Sequence, residues 1–97
     1  MTSEIRDFEF DYRNLAHLAE RNIDANLVLE ILAGEPVFAV NEPRPDRSGS
    51  HLMIGSAANG RHWTIVIVEM DEQLGIWRPI TGWPSTRKEI QLCHAEN

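Results

Sequence analysis

Cysteine, long apolar runs and positive charge are all scarce in this sequence. Cys93 is the single cysteine among 97 residues, which excludes an intrachain disulfide and favours a reducing compartment. The sequence has no run of about 18 apolar residues that could cross a membrane. The segment from Met1 to Phe10 carries charges where a signal peptide needs an apolar stretch. We therefore expect a cytoplasmic protein with no membrane segment.

Lysine and arginine total nine against 15 acidic residues, and the formal net charge is -6. Residues 1 to 46 contain ten acids and four arginines, whereas residues 47 to 97 contain five acids and five bases. An acidic protein repels the phosphates of nucleic acids over much of its surface, so indiscriminate nucleic-acid binding is excluded. A local basic site in the second half stays open.

The sequence also lacks the motifs that are typical of metal sites and cofactor sites. HExxH and CxxC motifs are absent, and the six glycines are scattered. Cys93 is predicted to be a packing thiol. Trp63, Trp77 and Trp83 fit core positions better than a platform for stacking bases. We expect neither a metal nor a cofactor.

What the sequence does contain is the hydrophobic content of one small domain, at 42% of 97 residues. A domain of this size buries a smaller share of its surface than a larger one and is only marginally stable. A partner chain or a homodimer contact would therefore help to stabilise it.

Two amphipathic patterns in the first half predict helices. The first covers about residues 12 to 21 and has apolar residues at helical spacing, namely Tyr12, Leu15, Ala16 and Ala19. Asn22 tolerates the left-handed conformation that ends a helix, and Asp24 is a typical N-cap for a second helix that Gly34 ends. We predict a third helix near the end of the sequence, with Pro84 in its first turn.

The dipeptide Asn59-Gly60 predicts a hairpin. It stands between two apolar runs, and both residues tolerate the positive φ that a type I′ turn requires. A two-residue turn would place Ile54 opposite Ile65. The strand that follows, Arg61 to Met70, is apolar on both faces through residues 64 to 68 and is therefore predicted to be central.

Two further strands are predicted, at Pro36 to Val40 and at Leu74 to Ile80. Pro79 cannot donate to a sheet ladder, so its strand should lie at an edge or carry a bulge. Residues 41 to 49 form a loop by composition. We predict that residues 1 to 97 form one α+β domain with two N-terminal helices, a three- or four-stranded antiparallel sheet and a C-terminal helix.

Several short motifs follow one another along the sequence. In the first half they are Phe8-Glu-Phe-Asp11, Asn14 with Leu18, Ile23 at a helix start and Gly34-Glu-Pro36. In the second half they are Ile54-Gly55, Asn59-Gly-Arg61, a Val/Ile-rich strand, Arg78-Pro-Ile-Thr81 and a helix with Arg87-Lys-Glu89. In this order and spacing the sequence resembles the BrnT-like ribonuclease toxins over about residues 8 to 92.

This resemblance implies a RelE-like fold and a bacterial type II toxin, a metal-independent endoribonuclease held inactive by a cognate antitoxin. Cleavage through the RNA 2′-hydroxyl needs a proton acceptor, a proton donor and positive charge near the developing phosphorane. Arg61 and Arg78 match arginines of the family pattern and are the predicted catalytic residues. The predicted RNA-binding residues are Arg47, His51, His62, Trp83 and Arg87.

The sequence departs from the family pattern where two further arginines are expected, at Ser50 and at Gly82-Trp83. Arg47 or His51 could supply the first missing charge, whereas Trp83 could stack on a base without restoring a charge. Because cations are few, a second interpretation stays open. The protein would then be a catalytically inactive toxin-fold protein that acts as a protein-binding module.

Structural roles also stay open for the two arginines. Arg61 could be a solvated residue after a turn, and Arg78 could form a salt bridge with Glu69 or Asp71. His62 is an acid/base candidate because imidazole titrates near neutrality. Neighbours on a strand point to opposite faces, however, so His62 and Arg61 would reach one phosphate only through a twist.

Overall fold

Residues 5–40 and 50–95 are described by the computed structural model, and they form five strands and three helices. In chain order these elements are β1 (Asp7–Phe8), α1 (Tyr12–Ala19), α2 (Ala25–Ala33), β2 (Val37–Val40), β3 (Ser50–Ser56), β4 (His62–Asp71), β5 (Ile76–Pro84) and α3 (Arg87–Ala95). The predicted loop at residues 41 to 49, with the predicted RNA-binding residue Arg47, lies outside the described residues. Within these ranges, no helix has both the length and the apolar content to span a bilayer.

The strands form one mixed sheet in the order β1-β5-β4-β3-β2. The predicted α+β class is confirmed, and β2 to β5 pair antiparallel. The prediction of a three- or four-stranded antiparallel sheet was wrong, because β1 adds a fifth strand parallel to β5. The alternation of Phe8-Glu9-Phe10 indicates a short extended segment, but a local pattern cannot show that this segment pairs with residues 76 and 77.

Side-chain caps fix the ends of the first two helices. Asp11 accepts a hydrogen bond from the Asn14 backbone at the start of α1, and the Asn14 side chain accepts one from the Asp11 backbone. Asp24 caps α2 by accepting from the Leu27 backbone. Asn22 has a φ of 63°, which confirms its predicted left-handed conformation after α1.

The β3–β4 hairpin differs by one residue from its prediction. Only Gly60 in the turn has a positive φ, and its N–H bonds the Ala57 carbonyl at 2.9 Å, which is typical of a three-residue loop with a glycine bulge. Met53, not Ile54, therefore pairs with Ile65. The prediction that β4 is central was correct, since it lies between β3 and β5.

One face of the sheet packs against α1 and α2 and forms the hydrophobic core. Its buried members include Leu18, Ile23, Val28, Ile31, Met53, Trp63, Ile65, Ile67 and Trp77. Trp63 and Trp77 are thus core residues, as predicted. The opposite face is contacted by α3, whose Cys93 Sγ donates to the Ile54 carbonyl at 3.4 Å.

Strand β5 is longer than predicted and ends at Pro84. The prediction that Pro84 opens the last helix was wrong, because α3 begins at Arg87 after the capping residue Thr86. Pro79 lies beside a register shift, since Ile67 pairs with it while Val66 pairs with Thr81. This irregularity agrees with the bulge predicted from its missing N–H.

Candidate functional site

Arg78 on β5 is held by two carboxylates. Its Nη1 donates to Glu9 Oε1 and to Asp11 Oδ2, both at 2.8 Å, and its Nη2 donates to Asp11 Oδ1 at 2.9 Å. The parallel β1–β5 pairing brings Glu9 beside Arg78, and Asp11 is the N-cap of α1. The salt bridge anticipated for Arg78 is therefore present, but its partners are not Glu69 and Asp71.

The Asp11 carboxylate is kept ionised by these contacts. Its hydrogen bonds from Arg78, followed by the one from the Asn14 backbone, lower the pKa of Asp11 to about 2. At neutral pH the carboxylate is thus an acceptor and cannot donate a proton. It serves to orient the guanidinium.

A cavity of about 270 Å³ opens beside Arg78, between α1 and β5, and is lined by Arg13, Asn14, His17, Arg78 and Ile80. Asn14 is buried and its Nδ2 donates to the carbonyls of Glu9 and Pro79, at 2.8 and 3.1 Å. These bonds fix α1 against β5. Arg13 and His17, one helical turn apart, therefore face the same concavity as Arg78.

The guanidinium of Arg78 keeps donors for a ligand. An arginine side chain has five N–H donors, and the described residues accept three hydrogen bonds from Arg78. The Arg78 side chain is 16% exposed, so the group is reachable but held in one orientation. Fixed planar donors of this kind suit phosphate recognition.

Arg13 and His17 were not among the predicted site residues. His17 is half-exposed and lies 3.8 Å from Glu20 across one turn, as a helix-surface residue would. The i, i+4 spacing of Arg13 and His17 could have placed them on one side of α1. Only the packing of α1 on β5 puts that side next to Arg78.

Arg61 lies at the other end of the β4–β5 ladder. It directly precedes β4, whose residue Val68 pairs with Arg78, so seven residue steps, or slightly more than about 20 Å, separate the two arginines along the strand. The Arg61 guanidinium carbon stands 5.8 Å from the Trp63 ring centre. The structure therefore does not bring Arg61 and Arg78 to one phosphate.

Neither of the two predicted histidines lines the cavity beside Arg78. His62 lines a separate cavity of about 150 Å³ together with Cys93 and His94, and its ring centre is 6.4 Å from that of His94. His51 stands edge-on to Trp77 at 5.3 Å. Its Nδ1 and the Trp77 Nε1 are buried with no hydrogen-bond partner among the described residues.

Trp83 forms a hydrogen bond with Glu89 in the first turn of α3. Its indole N–H lies 3.0 Å from Glu89 Oε1 and 3.2 Å from Glu89 Oε2. The Oε1 atom also accepts a hydrogen bond from the Thr86 backbone N–H at 2.8 Å. Burial alone would raise the pKa of Glu89, but these hydrogen bonds outweigh it and the pKa is lowered. Trp83 is therefore held in place, whereas Arg87 is exposed on α3.

The departure from the family pattern at Gly82 has a packing reason. A Cβ at this position would stand 2.8 Å from the Thr64 carbonyl oxygen, 2.8 Å from Ile65 Cδ1 and 2.9 Å from Ile23 Cδ1. Real Cβ atoms do not approach so closely. An arginine could not occupy residue 82 in this packing.

Metal and thiol chemistry find no support at other positions. Within residues 5–40 and 50–95, no group of three or more His, Cys, Asp and Glu side chains is placed to hold a metal ion. Burial raises the pKa of the Cys93 thiol, which lowers the fraction of reactive thiolate. Cys93 is therefore a packing residue in α3.

No protein-family model, curated protein or solved structure matches this chain. The geometry of the described residues is thus the basis for a functional proposal. Its main feature is the cavity at Arg13, His17 and Arg78, which we call the α1–β5 cavity.

Proposed function

We propose that the protein is a metal-independent endoribonuclease toxin of a bacterial type II toxin-antitoxin pair, with a RelE/BrnT-like arrangement of its α+β fold. The observation that supports this proposal is the α1–β5 cavity, where Arg13, His17 and Arg78 converge from two elements. In an acidic protein with a net charge of -6, such a convergence favours one local anion site over general nucleic-acid binding.

The cavity supplies positive charge and one side chain that can transfer a proton, which are two of the needs of RNA cleavage through the 2′-hydroxyl. Arg78, oriented by Glu9 and Asp11, and Arg13 would stabilise the negative charge that develops on the phosphorane. His17 would transfer a proton, because an imidazole ring has one nitrogen that donates and one that accepts. The scissile phosphate therefore lies between the side chains of α1 and β5.

Arg61 has a different part in this proposal. Because it lies roughly 20 Å from Arg78 along the strands, it can contact only another phosphate of the same RNA. Arg87 on the exposed side of α3 can do the same. Such contacts increase affinity without reaching the reacting atoms.

The second candidate function, a protein-binding module without catalysis, is favoured by one observation. Glu9 and Asp11 lie 2.8 Å from Arg78 and compensate its charge, so an RNA phosphate meets less net attraction there. In this case the cavity would be a structural junction between α1 and β5, and only the recognition of a partner such as the antitoxin would remain.

RNA cleavage by the purified protein in the presence of a chelator distinguishes the two functions. His17→Ala should slow cleavage by roughly 100-fold or more, as expected for loss of a general acid or base. Arg13→Ala should also slow it, whereas Arg21→Ala is the matched control because Arg21 is an exposed arginine that does not line the cavity.

Thermal unfolding of each variant shows whether the fold is kept. A wild-type protein that cuts no RNA would refute the nuclease proposal. Binding of the cognate antitoxin, which an adjacent gene would encode in such a pair, by that inactive protein would establish the module. Equal cleavage by His17→Ala and wild type would remove His17 from the mechanism.

A further inference from the structure

The three hydrogen bonds of Arg78 occupy particular donors of its guanidinium group. Nη1 carries two N–H groups, which donate to Glu9 Oε1 and to Asp11 Oδ2. Nη2 also carries two, and one of them donates to Asp11 Oδ1. The Nε–H and the second N–H of Nη2 therefore have no acceptor among residues 5–40 and 50–95.

These two donors form one edge of the guanidinium, which we call the Nε edge. The group is planar, and the Nε–H and the outer N–H of Nη2 point in nearly the same direction. Both Asp11 oxygens bind the end of the plane, and Glu9 binds Nη1 on the remaining side. The Nε edge is thus a fork that suits two oxygens of one anion.

The orientation of the Nε edge is fixed by anchored carboxylates. Asp11 also accepts from the Asn14 backbone as the N-cap of α1, and the Glu9 backbone N–H donates to the Trp77 carbonyl at 2.8 Å. Both carboxylates lie in the segment between β1 and α1, so the Nε edge is the part of Arg78 left to face the α1–β5 cavity, which Arg78 lines. A fork held in advance loses little conformational entropy when a ligand binds.

Charge indicates which kind of phosphate fits this edge. Arg13 and Arg78 bring two positive charges to the cavity, and the two carboxylates that hold Arg78 bring two negative charges. These charges cancel, so the site attracts an anion mainly through the geometry of its donors. An internal phosphodiester carries one negative charge, whereas a terminal phosphate carries about 1.5 to 2 at pH 7. The singly charged group leaves less charge uncompensated and is favoured.

We propose that the Nε edge of Arg78 binds both non-bridging oxygens of an internal RNA phosphodiester, and that Glu9 and Asp11 are the positioning residues that hold this edge toward the cavity. That the ligand is RNA rests on the proposed function. The choice of an internal phosphate and the contact with both oxygens follow from the hydrogen bonds and charges around Arg78.

Two small ligands separate the two kinds of phosphate without any cleavage. A 2′-O-methyl dinucleotide with hydroxyl ends has a single internal phosphodiester and no nucleophilic hydroxyl beside it, whereas a nucleoside 3′-phosphate has only a terminal phosphate. Titration of the nitrogen-15-labelled full chain with the dinucleotide should shift the Nε–H signal of Arg78, which Arg78→Lys identifies by its loss. The signal of the exposed Arg21 should not move. The nucleoside 3′-phosphate should bind at least about threefold more weakly.

Sulfur substitution tests the contact with both oxygens. Replacement of either non-bridging oxygen of the dinucleotide gives two stereoisomers, and sulfur is the weaker hydrogen-bond acceptor. Both isomers should therefore bind the wild type at least about twofold more weakly than the oxygen form. In Arg78→Lys these differences should shrink, because lysine presents a point charge and not a fork.

A matched pair of variants tests the cancellation of charge. Glu9→Gln keeps an oxygen acceptor for Nη1 but removes one negative charge, so the nucleoside 3′-phosphate should gain about threefold or more in affinity relative to the dinucleotide. Glu35→Gln makes the same change in net charge at an exposed residue that lines a different cavity. It should change neither affinity by more than about twofold. Thermal unfolding verifies that each variant folds.

Three results would overturn the proposal. They are a nucleoside 3′-phosphate that binds the wild type as tightly as the dinucleotide, an Arg78 Nε–H signal that the dinucleotide does not shift, and a loss of affinity for only one sulfur isomer. Binding as proposed by a protein that cuts no RNA would refute the nuclease and keep this site. RNA cleavage without a shift of the Arg78 signal would do the reverse.

Discussion

The two ends of the β4–β5 ladder hold their polar side chains in contrasting ways. At one end, Arg78 is clamped at the surface by Glu9 and Asp11 beside an open cavity. At the other end, Glu89 accepts hydrogen bonds from Trp83 and Thr86 and caps α3. The first arrangement leaves donors for a ligand, whereas the second uses its carboxylate to hold the protein together.

This difference shows why a functional site is not simply where polar residues gather. Hydrogen bonds within the protein, as at Glu89, occupy the donors and acceptors that a substrate would need. Fixed donors that keep spare capacity, as at Arg78, are oriented for a ligand in advance. At the end with Arg61, the exposed guanidinium stands 5.8 Å from the Trp63 ring centre.

The sharpest test of the contrast is RNA cleavage by alanine variants of the two arginines. Arg78→Ala should lower the cleavage rate by roughly 30- to 1,000-fold, since a charge that stabilises the phosphorane contributes on the order of 2 to 4 kcal/mol. Arg61→Ala should lower it by less than about tenfold, because a contact with another phosphate affects mainly binding.

Arg78→Lys separates charge from geometry in the same assay. Lysine keeps the charge but lacks the planar fork, so only partial activity is expected if the orientation by Asp11 matters. Equal losses for Arg61→Ala and Arg78→Ala would instead support a joint catalytic role for the two arginines, as the sequence predicts.

Substitution of Glu89 in α3 should mainly affect the stability of the fold. Glu89→Ala leaves the Thr86 and Trp83 N–H groups without their acceptor and should lower the free energy of unfolding by about 1 to 3 kcal/mol. Urea denaturation measures this loss. Lys88→Ala, an exposed neighbour on α3, should stay within about 0.5 kcal/mol of wild type, and an equal loss in both variants would contradict the role of Glu89.

Low pH should weaken the ion pair between Asp11 and Arg78. The pKa of Asp11 is lowered from 3.8 to about 2 by its bonds to Arg78 and Asn14. The stabilisation of the fold by the ionised Asp11 carboxylate is therefore fully present above about pH 4 and is lost as the pH falls toward 2. Asp11→Asn keeps an N-cap but removes the charge, so its stability deficit against wild type should shrink over this pH range.

Urea denaturation between pH 2 and pH 7 measures the Asp11→Asn effect. In an Arg78→Ala background the same substitution should have little pH-dependent effect, because the main partner is gone. A deficit that stays constant with pH would rule out the ion pair as its source.

The smallest effect is expected from Arg61 on stability. Its guanidinium carbon stands 5.8 Å from the Trp63 ring centre at an exposed position, and exposed cation–π contacts are worth at most about 1 kcal/mol. Arg61→Ala should lower the free energy of unfolding by less than that amount in urea denaturation. A larger loss would mean that the hairpin end depends on this side chain.

Residue types that act over only a few positions of the sequence predicted local features of the fold well. Asp24, Asn22 and Pro79 each have the role that their side-chain chemistry indicates, as cap, helix stop and irregular strand position. The hairpin was placed correctly, but its register was wrong by one residue because only Gly60 has a positive φ. That choice depends on strand pairing and not on the Asn59-Gly60 dipeptide alone.

The candidate site could be predicted only in part. Arg78 was predicted from its position in a motif, but its partners Glu9 and Asp11 are more than 60 residues away in sequence. Arg13 and His17 have the ordinary appearance of a helix surface. Their position beside Arg78 depends on Asn14, which fixes α1 against β5.

The sequence by itself determined the α+β class, the stop after the first helix, the cap of the second helix and the central strand, because caps, turn residues and apolar periodicity act over a few neighbouring positions. The tertiary structure alone decided that β1 lies parallel to β5, that Arg61 and Arg78 are far apart, and that α1 completes a cavity beside Arg78. These features depend on contacts between distant segments, whose free energies are settled only when the core packs and fixes which faces meet.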